Sequence, residues 1–154
     1  MLKQLLPRQV DNTYHGRKLA LWLFAVVVLM KLLMSLNSIF NGRYVATSAD
    51  GIPLDTFTPA AAETVVALFA IWAVAQLIIC LLCMVVLARY RAMIPLLFTF
   101  LLLEHLGRKL SLQFIPIVRT GTPPGFIVNL LLLALIVAGL ILSLWSHGNL
   151  DTKE

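Results

Sequence analysis

Four long apolar runs, separated by polar connections, dominate the pattern of the chain. They cover residues 18–40, 61–87, 93–114 and 125–145. Each is long enough to cross a hydrocarbon layer as an α-helix, which takes about 20 residues. The pattern therefore predicts an all-α polytopic membrane protein, with one integral membrane domain over residues 1–154 and four transmembrane helices packed as a bundle.

The amino-acid composition indicates whether these runs lie in water or in lipid. The chain is 60% hydrophobic and 12% charged, with a mean hydropathy of +0.94. Soluble domains carry about 25% charged residues. The core of a 154-residue domain is too small to hide so much apolar surface, so the excess must face lipid. The predicted solvent is a lipid bilayer.

Charge distribution predicts the orientation of the helices. The net charge is +5, and most cations fall on the N-terminal leader, the second connection and the C-terminal tail: Lys3, Arg8, Arg17, Lys18, Arg89, Arg91 and Lys153. By the positive-inside rule, both termini lie in the cytoplasm and the 41–59 loop lies outside. We expect a multi-pass protein of the bacterial cytoplasmic (inner) membrane. The chain has no nucleic-acid motif, so no nucleic-acid partner is predicted.

Residues at the helix ends predict how the runs begin and connect. Thr58 and Pro59 have the types expected for an N-cap and a first helical residue. Pro95 falls in the first turn of the third helix, where its missing N–H costs nothing. The second connection is short, so the second and third helices are predicted to form a tight antiparallel hairpin.

Several polar residues interrupt the apolar runs at similar depth. With a rise of 1.5 Å per residue, Lys31 lies roughly 20 Å, Gln76 roughly 17 Å and Glu104 roughly 16 Å from the cytoplasmic ends of their helices. An ionised side chain at such depth is costly unless it is paired. Lys31 and Glu104 are therefore predicted to face each other. Arg108, one turn after Glu104, is placed to share its carboxylate.

Smaller polar groups are predicted to border this cluster of Lys31, Gln76, Glu104 and Arg108. The candidates are His105, Ser35 and Ser111. Two interpretations remain open. The cluster either fixes the register of the helices or serves a function, which is the default hypothesis for ionisable residues inside a membrane.

Cys80 and Cys83 form a C-x-x-C pair inside the second run. Such a pair is a dithiol redox site in some settings. Here apolar residues flank both thiols, and buried cysteine mostly behaves as a small hydrophobe. We predict structural packing and keep redox chemistry as an alternative. No histidine pairing suited to a metal occurs, so no metal site is predicted, and Asp50 and Asp55 are interpreted as solvated turn residues.

Between residues 19 and 110 the chain resembles the DoxX-like family of four-helix bacterial membrane proteins. The shared features are Lys31 in "LMKLLM", the loop "ADGIPL", the mid-helix Gln76 and Arg89 in "LARYR". The family usually has Glu at the position of Gln76, and its helices contain more Gly. The resemblance implies a membrane subunit that works with partner proteins in redox or sulfur and thiol metabolism. A quinone is the one cofactor that it implies.

Three functions follow as hypotheses. The leading one is a non-catalytic accessory subunit, without catalytic residues or cofactor of its own, that works with a membrane or peripheral protein partner or as a homo-oligomer. The second is a small-solute or proton-linked transporter that uses the buried polar cluster. The third is a quinone- or thiol-dependent oxidoreductase. A transporter requires water access to Glu104, and an oxidoreductase requires both thiols beside a cavity that holds a ring.

Overall fold

Four long helices make up most of the protein. The computed structural model describes residues 12, 14 and 16–145, so Lys3, Arg8 and Lys153 lie outside the described residues. We label the helices α1 (Lys18–Phe40), α2 (Pro59–Arg89), α3 (Ile94–Phe114) and α4 (Gly125–Leu144). No strand occurs in the described ranges. The predicted all-α class is confirmed, and each helix lies within two residues of its predicted bounds.

Three of the helices described here, α1, α2 and α4, are long and apolar enough to cross a membrane. Their hydropathies of 2.4, 2.7 and 2.8 indicate a membrane protein. α3 is a continuous 21-residue helix of comparable length. Its second half carries Glu104, Arg108 and Lys109, which separate it from the other three in hydropathy.

The predicted helix starts are confirmed. Thr58 has extended backbone geometry, and its hydroxyl accepts a hydrogen bond from the N–H of Ala61 at 3.3 Å. Pro59 follows as the first residue of α2. Pro95 lies in the first turn of α3, where no intrahelical donor is lost.

The helices pack in an order that differs from the predicted hairpin. α1 packs closely along α2 and α4, and α3 packs mainly against α4. α2 and α3 make few contacts, although only Tyr90 and the 3₁₀ turn Arg91–Met93 separate them. The predicted tight hairpin is therefore wrong. The side of the bundle between α2 and α3 is therefore less closely packed than the other three sides, and we call it the opening.

The centre of the core depends on a close approach of α3 to α4. The Phe24 and Phe98 rings meet edge to face, with centroids 5.0 Å apart and planes at 76°. Phe98 also lies directly against Gly139, where any Cβ would overlap the ring. Both rings are fully buried. Gly139 thus forms the notch that allows α3 to pack on α4.

The first connection is more ordered than its turn signals predict. It contains a helical turn (Gly42–Tyr44), a π-helical turn (Val45–Ala49) and a 3₁₀ turn (Leu54–Thr56). Ala46, Ile52 and Leu54 are buried together against Ala62 of α2. This small second core explains why the connection folds.

A hydrogen-bonded link joins the first connection to the third. Gly51 adopts φ +71°, a left-handed conformation that favours glycine. Its carbonyl accepts hydrogen bonds from the Thr120 N–H at 2.8 Å and from the Thr120 hydroxyl at 3.2 Å. The two connections therefore form a single layer at this end of the bundle.

Replacement of Gly139 by alanine tests the notch. The added methyl group should displace Phe98 and lower stability by about 1–3 kcal/mol, the usual cost of overpacking a core. Gly107→Ala is the matched control, because a Cβ at that helical position meets no neighbour. The control should raise stability slightly, by up to about 1 kcal/mol, through helix propensity. Thermal unfolding in mild detergent measures both, and equal effects would contradict this packing.

Candidate functional site: a polar cluster among the helices

Lys31 is the centre of the polar cluster. It lies in the middle of α1 with only 4% of its side chain exposed. Its Nζ donates to Glu104 Oε2 of α3 at 2.7 Å and to Gln76 Oε1 of α2 at 3.3 Å. One ammonium group therefore joins three helices at one depth. The structure brings together the three residues that the depth calculation placed in one plane.

Arg108 lies one turn after Glu104 and shares its carboxylate. Its Nε is 2.8 Å from Glu104 Oε1, but the N–H does not point along this line. The contact is an ion pair without hydrogen-bond geometry. The Arg108 guanidinium also lies over the Trp72 ring of α2, 4.9 Å from its centroid. A cation over an indole face contributes about 0.5–2 kcal/mol, and here it links α3 to α2.

Two of the three predicted bordering residues lie beside the cluster. His105 is buried, and its Nδ1 is 3.5 Å from an Arg108 Nη2. Ser35 is buried one turn beyond Lys31 and donates to the Lys31 carbonyl at 2.8 Å. Ser111 is exposed and donates to the Gly107 carbonyl at 2.9 Å. Ser111 does not border the cluster as predicted: it lies on the face of Glu104, but two turns and about 10 Å farther along α3, where its side chain is exposed.

A small cavity of about 50 Å³ lies beside the cluster. One buried water needs a volume of about 10–15 Å³, so this cavity has room for three or four waters. All four long helices contribute to its wall, which is formed by Lys31, Met34, Ser35, Ser38, Trp72, Ala73, Gln76, Arg108 and Leu132. The cavity is partly open, and its wall includes Trp72 of α2 and Arg108 of α3, the two helices that make few contacts.

The two cysteines lie outside this wall. Cys80 and Cys83 are both free thiols, each about 1% exposed, within the main apolar core. The one polar contact near them is a long one, from Gln76 Nε2 to the Cys80 sulfur at 3.9 Å. This environment is the one expected for packing residues. Among the described residues, no group of three or more potential metal ligands occurs.

The sequence pattern did not predict the partial burial of Asp50. It was interpreted as a solvated turn residue, but it is half-buried where the first connection meets the start of α4. Burial raises the pKa of its carboxyl, while the nearby Arg119 and Arg108 act to lower that pKa. Asp55, in contrast, is exposed as predicted. The apolar residues that follow Gly51 were the available signal, since they draw the loop inward.

Comparison with known proteins adds no relative. No protein-family model, no curated protein and no solved structure matches the chain.

A double-mutant cycle tests the pairing at the centre of the site. Lys31→Met or Glu104→Gln alone should destabilise the bundle, because each leaves a buried charge without its partner, typically at a cost of about 3–5 kcal/mol. Lys31→Met should lie at the low end of this range, because the Glu104 carboxylate that it leaves behind is 23% exposed and keeps Arg108 as a partner. The double variant should recover much of the loss, because neutral residues often replace a buried pair at little net cost. Unfolding in detergent measures the cycle, and strictly additive losses would refute the pairing.

Proposed function

We propose that the chain is a bacterial inner-membrane protein in which all four long helices cross the bilayer. In this proposal it serves as a non-catalytic accessory subunit of a membrane system. Its own helices hold the polar cluster, and a partner polypeptide covers the side of the cluster that they leave open. The DoxX-like resemblance, with a redox-linked system as the partner, belongs to the same proposal.

Residues at the two ends of the bundle support the orientation. Arg17, Lys18, Arg89 and Arg91 lie at the end where α1 begins and α2 meets α3. The Arg17 guanidinium lies over the Trp145 ring at 4.9 Å, so the start of α1 and the end of α4 share that end. A side rich in Arg and Lys is typically cytoplasmic. This supports cytoplasmic termini.

The observation that carries the accessory role is the incomplete cover of the ion pairs. Glu104 keeps 23% and Arg108 30% of its side chain exposed, and Arg108 of α3 lies over Trp72 of α2, so it spans the side of the opening. If α3 crosses the bilayer, Glu104 lies about 15 Å from the start of that helix, deep in hydrocarbon. Charged groups at such depth almost always face protein or water. A second polypeptide at this opening would provide that cover.

Crosslinking from the opening tests this role. Phe100 lies one turn before Glu104 on the same helix face and is 56% exposed. Leu110 is 55% exposed but about 120° away from Glu104 around α3. A photoreactive benzoylphenylalanine at position 100, in native membranes, should form an adduct that contains a second polypeptide. The same group at position 110 should react with lipid.

The mass of the adduct identifies the partner as another protein or as a second copy of the chain. Lipid adducts alone at position 100 would contradict the accessory role. Equal protein adducts at positions 100 and 110 would contradict the opening as the place of contact.

A second candidate function is a small-solute or proton-linked transporter. The partly open polar cavity beside Lys31 favours it, because a transporter needs water access to its charged residues. The oxidoreductase hypothesis has less support from the geometry. Neither thiol borders the cavity, and a quinone ring is larger than the few waters that the cavity holds.

The orientation has its own test. In a background of Cys80→Ala and Cys83→Ala, Asp55→Cys should react with an impermeant thiol reagent in intact cells, because Asp55 is exposed on the first connection. Thr152→Cys in the C-terminal tail should react only after the membrane is opened. Labelling of the tail cysteine in intact cells would overturn cytoplasmic termini.

A further inference from the structure

The cavity wall has more hydrogen-bond donors than its own acceptors satisfy. An ammonium carries three N–H groups and a guanidinium five. Within the described residues, Lys31 uses two of its three, on Glu104 and Gln76. Arg108 makes one long contact to His105 and the ion pair with Glu104. Gln76 contributes an amide that reaches only the Cys80 sulfur, at 3.9 Å. The remaining donors therefore lack protein acceptors.

Charge in this region is also unbalanced. Lys31 and Arg108 both line the cavity, while the single carboxylate that pairs with them is Glu104. Asp50 lies near both Arg119 and Arg108, and the charges of Asp50 and Arg119 together add no net charge. The described charges around the cavity therefore sum to one excess positive charge. An unpaired charge among lipid-embedded helices is costly.

The size and the wall of the cavity limit which ion can neutralise the excess positive charge. Its volume of about 50 Å³ has room for three or four waters or for one small ion. The apolar part of the wall, with Met34, Ala73 and Leu132, leaves little space for a large polar group. Trp72 forms one side and holds the Arg108 guanidinium in place.

We propose that this cavity is a binding site for a small monovalent anion, such as a halide or formate, held between Lys31 and Arg108. The excess of donors and the single excess positive charge fit an anion, and the small volume favours an anion of only a few atoms. The site is formed by this chain alone. It therefore goes beyond the accessory role, and its test does not need the partner.

Trp72 provides the readout. In the full chain with Trp22→Phe and Trp145→Phe, Trp72 is the remaining tryptophan. The purified variant in detergent is titrated with sodium formate and with sodium chloride, and sodium gluconate holds the ionic strength constant. We expect a saturable change in Trp72 fluorescence and a parallel rise in the unfolding temperature. No saturable change with either anion would overturn the proposal.

Charge variants separate a site from general screening. Arg108→Gln should weaken binding at least tenfold, measured through the unfolding temperature because the contact with Trp72 is lost. Lys109→Gln removes an adjacent, exposed cation and should change binding by less than twofold. Equal effects of these two variants would overturn the proposal.

Two further variants keep the test decisive if Arg108→Gln fails to fold. Glu104→Gln removes the competing carboxylate and should tighten anion binding severalfold, even though it lowers stability. Ser38→Leu fills part of the cavity without a change in charge and should weaken binding at least tenfold. Weaker binding in Glu104→Gln, or unchanged binding in Ser38→Leu, would contradict an anion in this cavity.

Discussion

The arrangement of the helices depends on the ion pair between Lys31 and Glu104. The 2.7 Å contact fixes the depth of α3 relative to α1, and the bond from Lys31 to Gln76 fixes α2 at the same depth. Neither charge is tolerable alone among apolar helices, so each specifies the position of the other. Arg108 extends the constraint, because it binds the same carboxylate and lies over Trp72. The packing of Phe98 into the Gly139 notch then closes the opposite side of α3 against α4.

The same polar side chains explain why the bundle is open on one side. α2 and α3 are neighbours in sequence, yet they make few contacts, and the Arg108 side chain reaches from α3 to Trp72 of α2. This opening gives the cluster its cavity and leaves Glu104 and Arg108 partly exposed. The accessory role and the anion site both arise from this feature. A partner would cover the exposed side of the ion pairs, and an anion would balance the charge inside.

The sequence predicts how far along its helix each residue lies. It predicts less well which neighbouring helix a side chain contacts. The rise per residue of an α-helix gives the depth of each residue directly. It predicts that Lys31, Gln76 and Glu104 lie in one plane. Thr58 and Pro59 fixed a helix start through local chemistry alone. The few contacts between α2 and α3 and the contact of Arg108 with Trp72 depend on which helices become neighbours. Asp50 was missed for a related reason, since its burial comes from a loop that packs on residues distant in sequence.

The central claim is that a charged Lys31–Glu104 pair persists inside the bundle, and the protonation state of Glu104 tests it most directly. Infrared spectroscopy of the purified chain, with Glu104→Gln subtracted, isolates the bands of this side chain. We expect the carboxylate stretch of an ionised Glu104 at neutral pH. The carbonyl stretch of a protonated acid at that pH would mean that Glu104 is uncharged, and it would contradict the ion pair.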